Sequence, residues 1–528
     1  MARITVDGIP LEVEDGAMLL EALDDAGVLM RDVTIPHYCW HPKLSIDGSC
    51  RLCQVEIEGA PKLQIACNTP VEDGMVVHTE NERVAAARAG VTEMLLVNHP
   101  LDCPICDQAG ECKLQDYAFE YGALQSRTRE PRRALAKNVD VGPTIVLDQE
   151  RCILCRRCVR FCREVPGTGE LVVRGRGDRS VIDTFPDEPL DNPYSMNVAD
   201  LCPVGALTTK DFRFKIRVWF LEDVPGICTG CARGCNVYLG VADNKVQRYQ
   251  PRRNDAVNDT WICDAGRLSY KEIGAADRLS TAMLRGDLGV LEVVGFRDAL
   301  QAAADRLTRV RQARGASRIG VVASPHATNE DLFVLRRFCD ALGVETAGVA
   351  VVRGDADDLL LHAEKAANAA GARAMGFEDA AAVCEKLRRG ALDALLVAGH
   401  DLLDAAYLGG VDGLGDLDTV VWLDTHVSDL QRVADVVLPT RVAAERTGTY
   451  TNATGHVQRV TPAVEPAFDA RAEGAVIAAL GQALHLDGFE VGFDARETSR
   501  ALSEGVPLFR GRSFDAVGDA GLPLEEEA

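Results

Sequence analysis

Apolar and polar residues alternate in two short runs at the start of the chain, Ile4–Val6 and Ile9–Val13, with an Asp-Gly pair between them. Alternation with a period of two predicts strands, and Asp-Gly between two strands predicts a tight hairpin turn. A helical pattern follows from about Ala17 and stops near Gly27. The chain is therefore predicted to begin with a β-hairpin and a helix.

The next part of the chain mixes loops with short elements. Residues 53–59 have a strand-like pattern, and residues 81–97 carry apolar positions at helical spacing. Residues 127–133 are polar and rich in arginine, which is typical of a connector. This connector leads into a further cysteine-rich stretch.

The pattern changes after residue 263. Strand candidates at 318–324, 392–399 and 419–424 alternate with alanine-rich helical stretches at 296–313 and 329–342. Strands that alternate with helices favour a parallel sheet covered by helices. The second half of the chain is therefore predicted to be a doubly wound α/β domain.

Composition narrows the class of protein. The 528 residues are 47% hydrophobic and 26% charged, which is ordinary for soluble globular domains. A formal net charge of -23 argues against nucleic acid or an anionic membrane surface as the main partner. The start of the chain has no apolar signal sequence, and no stretch of about 18 apolar residues occurs, so we expect a cytoplasmic location.

The placement of the cysteines changes the picture most. Of the 18 cysteines, 16 lie between Cys39 and Cys263. In a reducing cytoplasm this density indicates metal binding rather than a disulfide framework. The cysteines fall into four groups, and the spacing within each group fits an iron–sulfur cluster.

The first ligand set combines a Cys-x2-Cys pair with two more distant cysteines. A two-iron cluster takes two thiolates per iron, so a short loop closed by a distant thiolate suits it. Zinc is the alternative for such a pair. The members of the set are Cys39, Cys50, Cys53 and Cys67.

The second ligand set has only three cysteines, and a histidine lies one helical turn before the first of them. The incomplete cysteine set favours this histidine as the fourth ligand of a four-iron cluster. A neutral imidazole in place of a thiolate removes a negative charge, which by itself should raise the reduction potential. The members are His99, Cys103, Cys106 and Cys112.

The third ligand set is a Cys-x2-Cys-x2-Cys-x3-Cys run with a distant Cys-Pro pair, a pattern typical of bacterial ferredoxins. Five cysteines are too few for two four-iron clusters, so Cys162 is expected to be a packed thiol. The expected ligands are Cys152, Cys155, Cys158 and Cys202. Nearby arginines form either a solvated basic face or a set of charges that stabilise the reduced cluster: Arg151, Arg156, Arg157, Arg160 and Arg163.

The fourth ligand set has three cysteines in one loop and a fourth about thirty residues later, which again suits a four-iron cluster. Zinc is the competing interpretation. The members are Cys228, Cys231, Cys235 and Cys263. The remaining cysteines, Cys339 and Cys384, lie on predicted amphipathic helices and are expected to be ordinary buried thiols.

Several of these segments resemble the G-type (large iron–sulfur) subunit of bacterial NADH:quinone oxidoreductase, respiratory complex I. The resemblance is close over residues 1–270 and is strongest in CWHPKLSIDGSCRLCQVEIEG, ACNTPVEDGM, NHPLDCPICDQAGECKLQD and CILCRRCVRFC with DLCPVGAL. It implies that the first three sets hold a [2Fe-2S], a His/Cys3 [4Fe-4S] and a [4Fe-4S] cluster on the electron path. The fourth set would then hold a [4Fe-4S] cluster away from that path.

From CTGCARGCN onward the chain is also similar to the molybdopterin oxidoreductase superfamily, for example in ADVVLPTRVAAERTGTYTNATGHVQR at 434–459. Residues 357–372 contain no cysteine or serine, although catalytic members carry a molybdenum ligand there. No Gly-rich dinucleotide loop follows a predicted strand. We therefore expect a scaffold with no molybdenum, no flavin and no catalytic residue.

The resemblance implies a multidomain α+β and α/β fold with five domains. These are a β-grasp [2Fe-2S] ferredoxin domain at 1–80, a helical His/Cys3 [4Fe-4S] domain at 81–125, a ferredoxin-like [4Fe-4S] domain at 126–218, a molybdopterin-oxidoreductase-type [4Fe-4S] domain at 219–275 and an α/β scaffold at 276–528.

The resemblance also implies partners and a location. The partners would be the flavin-bearing, NADH-oxidising subunit, a ferredoxin-like [4Fe-4S] subunit and other peripheral-arm subunits, on the cytoplasmic face of the inner membrane, with no membrane contact except through the complex. Three alternatives stay open: a homologous subunit of a soluble NAD-linked hydrogenase or electron-bifurcating complex, a molybdenum-dependent formate dehydrogenase, and a zinc-stapled scaffold.

Overall fold

The computed structural model of the protein describes residues 1–123, 125–466 and 468–525. The chain divides into two compact units, an N-terminal unit of Met1–Leu221 and a C-terminal unit of Glu222–Ala528. The strands of the N-terminal unit are β1 Ala2–Val6, β2 Ile9–Val13, β3 Gln54–Ile57, β4 Gln64–Ile65, β5 Val76–His78, β6 Val139–Asp140, β7 Ile145–Leu147, β8 Leu171–Arg174, β9 Val181–Thr184 and β10 Leu207–Thr209. Its helices are α1 Leu19–Asp25, α2 Glu82–Leu96, α3 Lys113–Tyr121, α4 Arg157–Glu164 and α5 Asn197–Leu201.

The hairpin and helix predicted at the start of the chain are confirmed. β1 and β2 pair antiparallel up to Val6 opposite Ile9, and the two turn residues, Asp7 and Gly8, both have positive φ. Such a turn matches the twist of the paired strands, and glycine adopts it without steric cost. The strands join β5, β3 and β4 in a five-stranded sheet, whose core includes the buried leucines of α1.

The remainder of the N-terminal unit consists mostly of loops and short elements. The helix predicted at 81–97 is confirmed as α2, and Asn81 caps it by accepting a hydrogen bond from the backbone N–H of Val84. Two small sheets, β10-β7-β6 and β8-β9, complete the unit. Because the strands are short, many backbone groups of this unit need partners outside regular ladders.

The C-terminal unit contains longer elements. Its strands are β11 Glu222–Ile227, β12 Asn236–Ala242, β13 Lys245–Pro251, β14 Met283–Arg285, β15 Leu291–Val293, β16 Ile319–Ala323, β17 Thr346–Val349, β18 Glu378–Asp379, β19 Ala394–Ala398, β20 Thr419–Asp424, β21 Val436–Pro439, β22 Gly448–Thr451, β23 His456–Val460 and β24 Leu522–Pro523. Its helices are α6 Asp264–Leu268, α7 Phe296–Arg314, α8 Asn329–Leu342, α9 Ala369–Ala374, α10 Ala381–Arg388, α11 Glu473–Ala483, α12 Ala495–Gly505 and α13 Phe514–Val517.

The predicted parallel sheet is present in the C-terminal unit. Eight strands are ordered β15-β14-β21-β20-β19-β16-β17-β18, and the six from β21 to β18 are parallel. Every residue of β16, β19 and β20 is buried, as expected for parallel strands covered on both faces. The chain builds the sheet in one direction from β16 and in the other from β19, so the topological switch point lies between these two strands.

Further features of the C-terminal unit were not predicted from the sequence. β11, β12 and β13 form an antiparallel sheet, and β22, β23 and β24 form another.

The two late cysteines lie on helices as predicted, Cys339 on α8 and Cys384 on α10, and both are buried. Among the helices of the described residues, none combines the length and apolar character that crossing a bilayer requires.

We expect mutations in the buried strands of the eight-stranded sheet to destabilise the C-terminal unit. Leu396 in β19 is 2% exposed within the core, so Leu396→Ala should lower the free energy of unfolding of this unit by about 2–5 kcal/mol. The matched control is Leu288→Ala, because Leu288 is 89% exposed. Equal chemical-denaturation midpoints for the two variants would contradict the packing described here.

Candidate metal centres

The first ligand set lies in the loops around β3 and β4. Cys50 and Cys53 lie directly before β3, and Cys67 lies in a short 3₁₀ turn after β4. The thiols are close together, because Cys39 forms hydrogen bonds with both Cys50 and Cys67. The bond with Cys50 lowers the pKa of Cys39, and the bond with Cys39 raises the pKa of Cys67. The structure therefore brings all four predicted residues together, since Cys53 also bonds Cys67.

The second ligand set surrounds a single cavity. The four predicted residues line it together with Arg151 and Gly205, and it holds about 290 Å³ of space not filled by protein atoms. Burial lowers the pKa of His99 to about 4, so the imidazole is neutral near pH 7, and its Nδ1 is buried without a hydrogen-bond partner. A neutral, partly unsatisfied imidazole beside three thiols is suited to bind a metal.

The backbone at Gly205 packs closely against a thiol of the second set, and only glycine fits there. Gly205 follows the Cys-Pro pair of the third set, and a Cβ atom at this position would lie 2.3 Å from Sγ of Cys106. No side chain larger than hydrogen fits at that distance. The sequence contains no obvious signal for this requirement, because Gly205 is separated from Cys106 by about a hundred residues.

The third ligand set also surrounds one cavity. Cys152, Cys155, Cys158 and Cys202 line it, and it holds about 340 Å³ of space not filled by protein atoms. Burial raises the pKa of Cys155 to about 11, and it also raises the pKa of Cys158 well above its ordinary value. Cys162 does not line the cavity; it is fully buried on α4, which agrees with the expected packed thiol.

The fourth ligand set lies in the C-terminal unit. Cys228, Cys231 and Cys235 occupy the loop between β11 and β12, which is closed by a bond from the N–H of Cys228 to the carbonyl of Cys235. Cys263 precedes α6, and its Sγ accepts a hydrogen bond from the N–H of Gly266 at 3.3 Å. A Cβ atom at Gly266 would lie 2.9 Å from Sγ of Cys228 and 3.2 Å from Sγ of Cys263, so these two thiols share one side of the site.

The donor sets consist of thiol and imidazole groups, which are the ligands that iron–sulfur clusters use. Within the described ranges, no group of three or more His, Cys, Asp or Glu side chains is arranged to hold one metal ion. In a four-iron cluster each ligand binds a different iron, so the ligands surround a larger volume than the ligands of a single ion do, and the second and third sets each line a cavity. Because a cysteine binds iron as the thiolate, cluster assembly must remove the protons that burial favours; the pKa of Cys112, for example, is raised to about 11.

The ligand sets of the N-terminal unit are neighbours in the order first, third, second. The second and third sets meet where the N–H of Lys113, next to Cys112, bonds the carbonyl of Pro203, next to Cys202. The first and third sets meet at α4, where Arg160 donates to the backbone carbonyls of Cys39 and Ser45. The loops of the three sets thus support one another.

These contacts decide between the two interpretations of the arginines. Arg160 is 4% exposed and Arg151 is 5% exposed, so a solvated face is wrong for both. Arg151 lines the second-set cavity and pairs with Asp102 at 3.2 Å. Arg156 and Arg163 are exposed and pair with nearby acids, as a solvated face predicts.

The C-terminal unit contains a large cavity at the topological switch point. It lies beyond the carboxyl ends of β16 and β19, where open α/β sheets bind ligands, and holds about 1400 Å³, part of it open to solvent. Its lining includes Arg446 and Glu473, both at most 4% exposed, and His400, whose bond to Asp424 raises its pKa to about 9. No cysteine of the described residues lines this cavity.

Several known family models match successive parts of the chain. A family model described as a 2Fe-2S iron-sulfur cluster binding domain matches residues 1–82, and the NADH-ubiquinone oxidoreductase-G iron-sulfur binding region matches 88–127. The ferredoxin-like domain of NADH-quinone oxidoreductase subunit 3 matches 142–208. The molybdopterin oxidoreductase Fe4S4 domain matches 221–274, and the molybdopterin oxidoreductase model matches 353–483.

Curated relatives extend these matches. The G-type subunit of the NADH-quinone oxidoreductase of Rickettsia bellii is 38% identical over 349 residues, covering 66% of this chain and 50% of the relative. The mitochondrial NADH-ubiquinone oxidoreductase 78 kDa subunit of Candida albicans is 40% identical over 346 residues, covering 65% of this chain and 46% of the relative. The chain thus spans about half the length of the curated relatives it matches.

A solved structure, the NAD+-reducing [NiFe]-hydrogenase in the H2-reduced state, contains a chain that is 32% identical. The match covers 41% of this chain and 91% of that chain, with a TM-score of 0.37. A TM-score this low supports no structural or functional argument.

The domains and ligand sets define an iron–sulfur protein that combines ferredoxin-type domains with a molybdopterin-oxidoreductase-type fold. Within that class, the predicted resemblance to the G-type, large iron–sulfur subunit of NADH:quinone oxidoreductase is confirmed.

The close approach at Gly205 generates a test of the second set. Gly205→Ala should displace Cys106 and lower the iron content of the anaerobically purified chain by about four atoms per chain. The matched control is Gly230→Ala, because a Cβ atom there would lie 3.7 Å from Sγ of Cys228, an ordinary contact. If both variants retain the iron content of the parent chain, Gly205 does not limit the site.

Proposed function

We propose that the protein is the iron–sulfur electron-relay subunit of a respiratory NADH:quinone oxidoreductase. The observation that carries this proposal is the row of three neighbouring ligand sets in one compact unit, ordered first, third, second. A relay needs redox centres close to one another, because one-electron transfer between buried centres weakens steeply with distance. The curated relatives that match the chain are named as subunits of NADH-quinone oxidoreductase, NADH-ubiquinone oxidoreductase and NADH dehydrogenase.

The proposal assigns a cofactor to each ligand set. Bound clusters would supply one-electron redox chemistry: a [2Fe-2S] cluster on the first set and a [4Fe-4S] cluster on each of the others. The residues that hold them are Cys39, Cys50, Cys53 and Cys67; His99, Cys103, Cys106 and Cys112; Cys152, Cys155, Cys158 and Cys202; and Cys228, Cys231, Cys235 and Cys263. Residues 81–125, which carry the second set, are proposed to act as a separate helical domain.

The chain has no catalytic role of its own in this proposal. Electrons come from a flavin-bearing, NADH-oxidising subunit and leave to a ferredoxin-like [4Fe-4S] subunit of the same peripheral arm, on the cytoplasmic face of the inner membrane. Hydride transfer needs a flavin or nicotinamide site, and the sequence offers no fingerprint of either. The activity of the NADH dehydrogenase therefore belongs to the assembled complex.

We infer that the α/β domain binds no molybdenum. The cavity at the switch point has no cysteine in its described lining, and residues 357–372 have neither cysteine nor serine. The relatives that the sequence resembles carry a cysteine or a serine as the protein ligand of molybdenum in the segment that corresponds to residues 357–372. The cavity itself offers imidazole, carboxylate and hydroxyl groups, the last from residues outside that segment such as Ser269 and Ser324. Fold alone does not carry activity, so the retained fold is consistent with a scaffold.

The decisive experiment is a reductive titration followed by electron paramagnetic resonance. The protein is purified anaerobically with its partners, and iron, sulfide, zinc and molybdenum are counted. The expected result is about fourteen irons per chain, one two-iron species and up to three four-iron species, without molybdenum. Zinc in place of iron contradicts the relay function, and stoichiometric molybdenum indicates an enzyme such as a formate dehydrogenase.

His99 generates a second test of the assignment. His99→Cys should retain the iron content but lower the reduction potential of the second-set cluster, because a thiolate adds a negative charge where the imidazole is neutral. The matched control is His78→Asn, a partly exposed histidine of the same unit that belongs to no ligand set. An unchanged potential in the His99 variant would remove this histidine from the ligand set.

A further inference from the structure

Arg157 connects the first and third ligand sets through its guanidinium group. Its Nη2 donates to the carbonyl of Trp40, which follows Cys39, and its Nη1 donates to the carbonyl of Leu201 at 3.4 Å, which precedes Cys202. Arg157 itself precedes Cys158 and lines the third-set cavity. One side chain therefore touches the backbone beside a ligand of each set.

The charge of Arg157 has no carboxylate partner. Two of the neighbouring arginines do: Arg151 pairs with Asp102 and Asp148, and Arg156 pairs with Asp47. Within the described residues, Arg157 forms no ion pair with an acid, and its Nε atom is buried without a hydrogen-bond partner. A cation without a carboxylate partner and an unsatisfied N–H group are both costly, so a negative acceptor nearby would stabilise this half-buried side chain.

The acceptors that Arg157 bonds are two backbone carbonyls, and ionisable thiols of both sets act on its charge. These thiols are Cys155, which lines the same cavity as Arg157, and Cys39 and Cys50 of the first set. Thiolates and cluster sulfides are negative and accept N–H hydrogen bonds, and such bonds raise reduction potentials. A thiolate or cluster sulfide of either adjacent site would therefore be a suitable negative partner for Arg157.

Arg160 differs from Arg157 in one respect that matters. It donates to the carbonyls of Cys39 and Ser45, both in the first-set loop, and the carboxylate of Glu164 lies close enough for Arg160 to lower its pKa. Arg160 thus bonds the backbone of one ligand loop and lies near a carboxylate. Arg157 alone of the two bonds the backbone of both sets.

We propose that Arg157 is a positioning residue shared by two clusters, which holds the first and third ligand loops together and raises the reduction potentials of both centres. This inference rests on the proposed function, because it requires clusters on both sets. The cation stabilises the more negative, reduced form of each neighbouring centre.

The test is the midpoint potential of each centre in the anaerobically purified complex, followed by electron paramagnetic resonance. Arg157→Met removes the charge and the N–H donors while keeping an unbranched side chain, and should lower the potentials of the two-iron and third-set centres together. The second-set and fourth-set potentials should stay unchanged. Arg157→Lys keeps the charge but loses the two-carbonyl bridge, so its potentials should fall between those of Arg157→Met and the parent.

Arg163→Met is the matched control, since Arg163 lies on the same helix, is exposed, pairs with Glu164 and does not line the cavity. It removes the same charge in a screened position and should leave all potentials unchanged. A shift at only one centre, or the same shift in Arg163→Met as in Arg157→Met, overturns the shared role. If Arg157→Met loses iron, the comparison uses Arg157→Lys, and parental potentials in that variant with normal iron content also overturn it. A parent chain without the expected clusters refutes the proposed function instead.

Discussion

The N-terminal unit depends on one constraint, which is that negative sulfur ligands must be buried and still be compensated. Desolvation disfavours a thiolate, and it raises the pKa of the third-set cysteines in this protein. Iron binding reverses the protonation but leaves negative charge in a region of low dielectric. Buried guanidinium groups lie beside these ligands: Arg151 lines the second-set cavity, and Arg160 bonds the carbonyl of Cys39 in the first set.

Arginine side chains also bond backbone carbonyls of the ligand loops. The ligand loops contain little regular structure, so their carbonyls have few ladder partners. Arg160 satisfies carbonyls of the first-set loop, and Arg217 donates to the carbonyls of Cys106 and Pro104 in the second-set loop. A planar guanidinium with five donors can bond two carbonyls at once, which lysine cannot do with fixed geometry. Charge compensation and loop rigidity therefore come from the same side chains.

The C-terminal unit is stabilised by a different kind of interaction. Its buried parallel sheet is stabilised by apolar packing on both faces. Three of the four cysteines of the fourth ligand set lie in a loop of a separate antiparallel sheet in this unit. The parallel sheet has a polar cavity at its switch point, the place where open α/β sheets bind ligands. The buried side chains of Arg446 and Glu473 line this cavity.

The sequence by itself determined the elements with strong local signals, and it predicted which residues form the ligand sets. The Asp-Gly turn, the helix α2 and the apolar residues 420–423 of β20 depend on residues within a few positions of each other, so local pattern predicts them. Cysteine spacing grouped the candidate ligands. The strands β11 to β13, which are six or seven residues long, were not predicted.

Only the tertiary structure decided what depends on distant parts of the chain. The contact of Gly205 with Cys106 and the bonds from α4 to the first-set loop join residues about a hundred positions apart. The sequence could not distinguish a solvated arginine from a buried one, because both have the same local neighbours. Arg156 and Arg157 are adjacent in the chain, yet one pairs with an acid at the surface and the other reaches two ligand loops. That difference is set by the direction of each side chain in the folded protein, which no local pattern records.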